Sequence, residues 1–183
     1  RELLGDLEGK RVMDYGCGAG FFSVYAAQAG AAKVVGIDAE DSVLATASHF
    51  ARLKGVQDVC SFVQSDRFPS FLGRDVFDVV LMKDVIEHVP DDQTLLHAAA
   101  AALVPAGKLV LSTQNAFSLN YLLQGGYHRG WLGNKEWYGW DPTHIRFYTP
   151  MGLDEKLKEA GFRSASWRSV YLIPYKLPPI PGS

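Results

Sequence analysis

From Gly9 onward the chain alternates between short apolar runs and longer segments in which apolar positions recur every three or four residues. Runs of the first kind suit strands covered on both faces, and segments of the second suit helices packed on one side. The pattern predicts strands over residues 11–15, 33–37, 59–63, 77–82 and 108–112. Between them it predicts helices over 21–29, 42–53 and 93–103, the second ended by Gly55 and the third by Pro105 and Gly107. A helix over 151–160, entered through Thr149-Pro150 and closed by Gly161, precedes an expected strand over 163–173. Strands separated by helices imply right-handed crossovers, hence a doubly wound, Rossmann-like α/β fold with a mostly parallel sheet in three αβα layers.

The sharpest local signal is Val12-Met13-Asp14-Tyr15-Gly16-Cys17-Gly18-Ala19-Gly20, an apolar run that ends in an acid and then places glycine at every second position. A strand that turns at once into a helix brings its backbone close to whatever lies above the turn, and glycine permits that approach. The following helix aims free N–H groups and its positive end at the same place, which suits a nucleotide-like ligand. In the dinucleotide fingerprint a third glycine would stand where Phe21 is. The pattern Asp14-x-Gly16-x-Gly18-x-Gly20 instead resembles the first motif of class I S-adenosylmethionine-dependent methyltransferases. Val34-Val35-Gly36-Ile37-Asp38 adds a second strand ending in an acid, about 20 residues on, where a carboxylate can accept both ribose hydroxyls.

The resemblance extends over most of the chain. Phe77-Asp78-Val79-Val80-Leu81 followed by Asp84-Val85-Ile86-Glu87-His88-Val89-Pro90-Asp91 resembles the fourth-strand motif of the same enzymes. Leu103-Val104-Pro105-Ala106-Gly107 is similar to their Leu-x-Pro-Gly-Gly turn, with Ala106 in place of the first glycine. The resemblance implies S-adenosylmethionine as cofactor and a methyl-transferring enzyme. Ligands of such sheets gather at the carboxyl ends of the strands, which nominates Asp14, Tyr15, Gly16, Cys17, Gly18, Gly20, Asp38, Ala39, Asp66, Arg67 and Lys83 for cofactor binding. Asp66 is placed to accept the exocyclic amine of adenine, or to serve only as a loop acid or helix cap, with Arg67 and Phe68 beside the ring.

Composition narrows the partners. The chain has 183 residues, 48% of them hydrophobic, enough for one compact domain spanning residues 1–183 and too few for a second. A net charge of −2 without a Lys or Arg run disfavours nucleic acid, leaving a small-molecule acceptor, and says nothing of oligomeric state. No apolar run reaches membrane-spanning length and no leader is visible, so a cytoplasmic location is expected. The opening on Arg1 reads as a trimmed chain. Two cysteines, Cys17 and Cys60, are too few for a disulfide framework and fit a reducing compartment. Cys17 is open to two readings, a reactive thiol or a small residue in a tight place.

Candidate chemistry lies after the fourth strand. If Asp84-x-x-Glu87-His88 makes a helical turn, its three side chains share one face. A second histidine, His144, comes in the segment running from Trp140 to Pro150. This combination resembles ubiquinone-biosynthesis O-methyltransferases and small-RNA 2′-O-methyltransferases, where it implies a divalent metal on Asp84, Glu87, His88 and His144, with Asp84 standing where those families carry Glu. The other reading is metal-free: His88, His144 and Glu87 orient the acceptor or take its proton. Residues 115–141, rich in aromatic side chains and broken by glycines, are expected to form a lid-like, substrate-covering insertion, or a satellite core. Residues 174–183 read as an irregular proline-rich tail that leaves the family's closing hairpin incomplete. An NAD-dependent dehydrogenase and a non-catalytic cofactor-binding partner subunit are the competing functions.

Overall fold

The structure, a computed structural model, describes residues 4–68, 73–74, 76–137, 139, 141–163 and 166–168. The strand expected over 163–173 falls largely outside them, and the tail at 174–183 entirely so. Five strands form one parallel sheet: β1 (Arg11–Tyr15), β2 (Lys33–Asp38), β3 (Cys60–Gln64), β4 (Phe77–Lys83) and β5 (Leu103–Ser112). Their spatial order is β3-β2-β1-β4-β5. The helices of the crossovers are α1 (Phe21–Gln28), α2 (Asp41–Leu53) and α3 (Asp92–Ala102). The chain winds outward from β1 to β3, then returns to lay β4 against the other side of β1. Right-handed crossovers running in opposite directions put α1 and α2 on one face and α3 on the other, which yields the three-layer αβα arrangement.

Alternation along the strands builds both faces. Val12, Val34, Val79 and Leu81 pack with Val24, Ala26 and Ala27 of α1 and Ala51 of α2. Met13, Val35, Ile37, Val80 and Met82 are equally buried and, by the two-residue period, point the other way. The strand ends and helix starts match the sequence pattern to within a residue or two, except at β5. There α3 passes directly into a strand that begins at Leu103, and the pairing register slips between Phe77 and Val79. The slip accommodates Ala106, which takes φ 65° where the resembling families place glycine.

The described residues group into two compact units, one running up to Ile86 together with Asp91–Ser112, the other comprising Glu87–Pro90 and the chain from Thr113 on. The second unit holds α4 (Leu119–Gly125), a π-helical turn over Gly126–Trp131, and α5 (Pro150–Glu159). The sequence suggested a lid-like insertion or a satellite core over 115–141 and predicted no helix there, whereas α5 was expected. Ser118 explains α4, since its hydroxyl accepts the Tyr121 N–H as an N-cap. Thr149 caps α5 in the same way through Gly152 N–H, with Pro150 at the first turn.

Candidate functional site

In the first unit, the glycine turn leaves β1 at the point where the strand order reverses. Gly16 and Gly18 have φ 76° and 50°, a region that favours glycine. A Cβ on Gly16 would meet Val85 Cγ2 at 2.3 Å, whereas one on Gly18 would meet nothing, so the turn is tight below and open at Gly18. Gly16 and Cys17 donate their N–H groups to the Ile37 carbonyl at 2.8 and 2.9 Å, which locks the turn to the end of β2. Gly20 supplies no side-chain cap to α1. Asp38 Oδ2 accepts the Gly18 N–H at 2.8 Å while Oδ1 accepts that of Glu40 at 3.1 Å. This carboxylate therefore shapes the turn and keeps lone pairs to spare. Open space over Gly18 beside an oriented acceptor carboxylate fits an adenosine-bearing ligand.

Asp14 lies one strand over and only 2% exposed. Its Oδ2 accepts the Ser23 hydroxyl at 2.6 Å. Burial outweighs that bond and pushes its carboxyl up to about 6, with the Asp38 charge adding to the effect. Tyr15 packs against Phe68 with ring centres 5.1 Å apart and planes tilted by 44°, and the pKa of its phenol is raised by burial and then by the charges of Asp66 and Asp38. Tyr15, Asp38 and Asp66 are thus brought to one neighbourhood. Ala39 is fixed through its carbonyl, which accepts from Gln64 Nε2 at 3.1 Å. The Arg67 carbonyl accepts the Ser65 hydroxyl at 2.7 Å. Cys17 and Cys60 are both buried free thiols, and burial pushes them up to about 12 and about 11.

Beyond β4 the expected helical turn shrinks to a 3₁₀ turn over Ile86–His88. Asp84 stands before it with φ 53°, so it does not share a helical face with Glu87 and His88. Its carboxylate accepts the Ser112 hydroxyl at 2.8 Å and pairs with Lys83.

The second unit gathers Glu87, His88 and His144, whose ligand-capable atoms all lie within 4.8 Å of one another. Backbone pairing sets this up: the Ile145 N–H donates to the Glu87 carbonyl at 3.0 Å, bringing His144 beside the turn. The two imidazole rings are 4.7 Å apart. Glu87 is fully buried, and its Oε2 accepts the Thr113 hydroxyl at 2.9 Å. His88 Nδ1 lies 3.2 Å from the Thr143 carbonyl and 3.1 Å from its hydroxyl oxygen. A carbonyl only accepts, so Nδ1 carries the proton and Nε2 keeps its lone pair. The Thr143 hydroxyl is itself spent on Asp141 Oδ1 at 2.6 Å, consistent with that assignment. Asp141 Oδ2 stands 3.7 Å from His144 Nε2. The sequence reading missed Thr113, Thr143 and Asp141. The last two fall within the motif already singled out, where a hydroxyl and an acid beside a histidine were the available signal.

Residues 1–166 match a family described as a methyltransferase domain. Two ubiquinone biosynthesis O-methyltransferases are similar. That of Idiomarina loihiensis is 34% identical over 155 residues, 80% of this chain and 59% of that protein. That of Neisseria meningitidis serogroup C is 38% identical over 122 residues, 64% of this chain and 49% of that protein. The chain thus spans about half to three-fifths of the length of these relatives. A crystal structure of an S-adenosylmethionine-dependent methyltransferase from Mesorhizobium loti shares the fold, with a TM-score of 0.67 at 22% identity, covering 88% of this chain and 77% of that one. With the glycine turn, the acid ending β2 and the reversed parallel sheet already in place, the match over residues 1–166 makes this chain a member of the methyltransferase-domain family, in the class I S-adenosylmethionine-dependent group.

Proposed function

We propose that this chain carries out S-adenosylmethionine-dependent methyl transfer to an oxygen of a small-molecule acceptor. The observation that carries the oxygen assignment is the fixed tautomer of His88, whose protonated Nδ1 is held by Thr143 so that Nε2 is a ready proton acceptor. In the first unit, Asp38 holds the ribose hydroxyls over the glycine turn, Asp66 accepts the adenine amine, and Tyr15 with Phe68 walls the ring. Ala39, Arg67 and Lys83 stand at neighbouring strand ends and complete the rim. When bound, S-adenosylmethionine supplies a methyl group on a sulfonium, whose departure as a neutral thioether drives transfer. In the second unit, His88 Nε2 takes the proton of the acceptor hydroxyl, and the imidazolium so formed is stabilised by buried Glu87. His144, turned toward Asp141, is the second orienting group. The similar ubiquinone biosynthesis O-methyltransferases support oxygen as the methylated atom.

A second reading is favoured by the close approach of one carboxylate and two imidazoles. Glu87, His88 and His144 would hold a divalent cation, with Asp84 the weaker candidate because its carboxylate is already engaged by Ser112 and Lys83. A bound cation would lower the pKa of an acceptor hydroxyl and make a strong base unnecessary. Elemental analysis together with activity after chelation separates the two: unchanged turnover in metal-free protein leaves the proton-acceptor reading.

Titration calorimetry with S-adenosylhomocysteine and with NAD tests the cofactor, since binding of NAD alone would replace methyl transfer with the dehydrogenase reading. A transfer assay with labelled S-adenosylmethionine and a panel of phenols and catechols then tests turnover. His88→Ala should lower the rate about 100- to 10,000-fold while sparing cofactor affinity. A full rate in that variant would refute the assignment, and cofactor binding without any transfer would favour the partner-subunit role. Among the described residues no helix is long and apolar enough to cross a membrane. Two buried, unpaired thiols suit a reducing compartment, for which the cytoplasm is our reading.

A further inference from the structure

The aromatic stretch of the second unit contains a cation built into place. Arg129 lies with its guanidinium carbon 5.4 Å from the ring centres of both Tyr121 and Trp137. Its Nη1 donates to the Trp137 carbonyl at 3.1 Å. Gly125, one helical turn earlier, leaves the slot open: a Cβ there would stand 2.2 Å from Arg129 Nη2. The guanidinium is thus oriented by two ring faces, a carbonyl and a missing side chain, and among the described residues no carboxylate pairs with it. An arginine serving only to brace a satellite core would be expected beneath buried rings. Here Arg129, Tyr121, Trp137 and Phe147 all remain partly exposed.

The wall that begins at Arg129 runs without a break to the catalytic candidates. Tyr121 stacks on Phe147 at 4.3 Å, Phe147 meets the edge of His144 at 5.9 Å, and His144 lies 4.7 Å from His88. Stacked rings bind a flat apolar body, and a preoriented guanidinium fork binds a carboxylate or phosphate with paired hydrogen bonds. We propose that the acceptor is an aromatic hydroxyl compound carrying an anionic group, with that anion held by Arg129 and its hydroxyl directed to His88. The inference rests on the acceptor-handling role given to His88 above, and it adds the chemistry of the acceptor's far end.

Three small probes of matched shape test it on the full chain saturated with S-adenosylhomocysteine: benzoate, phenyl phosphate and the neutral benzyl alcohol. At least one of the anions should bind about tenfold more tightly than benzyl alcohol, the gain of a charge-assisted pair. Preference for benzoate alone identifies a carboxylate, for phenyl phosphate alone a phosphate ester, and either supports the proposal. Arg129→Gln should erase the margin. Gly125→Ala, which keeps the charge and pushes the guanidinium from its slot, should reduce it. S-adenosylhomocysteine affinity and melting temperature serve as the controls for folding. Equal binding of all three probes, binding of none, or a margin that survives Arg129→Gln would overturn the proposal. Such a result alongside normal S-adenosylhomocysteine affinity leaves the methyl-transfer reading standing; loss of cofactor binding in the unaltered protein would instead sink that reading.

Discussion

Replacing Asp14 by Asn should make the protein more stable and its cofactor site worse. Asp14 is 2% exposed and its carboxyl is raised from 3.8 to about 6, chiefly by burial, against the lowering effect of the Ser23 hydroxyl. A raised carboxyl stabilises the fold fully below the unfolded value, and that stability is lost as pH rises through the folded one. The interval from 3.8 to about 6, at 1.36 kcal/mol for each pH unit, comes to about 3 kcal/mol of destabilisation at neutral pH. Asparagine is isosteric, keeps an oxygen to accept from Ser23, and carries no charge to desolvate. Asp14→Asn should therefore gain up to about 3 kcal/mol at pH 7.5, or several degrees of melting temperature, and nothing at pH 3.5. Denaturant unfolding at a series of pH values measures this directly. The unaltered protein should lose stability between pH 4 and 6 from this group, and the variant should lack that component. A destabilised variant at pH 7.5, with its pH dependence unchanged, would refute the burial argument. The same substitution should weaken S-adenosylmethionine binding, because a buried anion beside the turn is the group a cationic ligand rewards.

Three further outcomes follow from the geometry. Asp38→Ala should cost about 1 to 3 kcal/mol of cofactor affinity in a calorimetric titration, through lost ribose bonds and the loosened Gly18 N–H; undiminished affinity would mean the ribose lies elsewhere. Ala106→Gly relieves a left-handed alanine exposed at the register slip of β5 and should stabilise by about 0.5 to 1 kcal/mol, the strain relief exceeding the added unfolded-state entropy, as read by the urea midpoint. A lowered midpoint would show that alanine is unstrained there. Cys17 and Cys60, pushed up to about 12 and about 11, should resist a disulfide-exchange reagent at pH 8 until the protein is unfolded. Fast labelling of native Cys17 would restore its reading as a reactive thiol.

Local pattern was enough for the first unit. Apolar runs of strand length, helices between them and a glycine turn after Tyr15 are short-range facts, and the structure places those elements within a residue or two of the expected limits except at β5, which begins five residues early at Leu103. The acids at 14 and 38 were legible for the same reason, since the turn that follows a strand fixes its last residues, Asp38 ending β2 and Asp14 standing one before the end of β1. The aromatic stretch was harder to read: its glycines suggested a loop, and the cap at Ser118 that starts α4 was overlooked.

What the tertiary structure alone decided are the pairings of residues far apart in the chain. The order β3-β2-β1-β4-β5, and hence the reversal beside β1, depends on which strand edge β4 finds. The proton on His88 is placed by Thr143, 55 residues away, and Glu87 is held by Thr113, 26 residues away. Asp84 drops out of the expected trio because its backbone turns left-handed and its carboxylate is taken by Ser112, 28 residues on. Periodicity and propensity act over a few residues, whereas a proton's position or a carboxylate's partner is set by whichever group the completed fold delivers within about 3 Å.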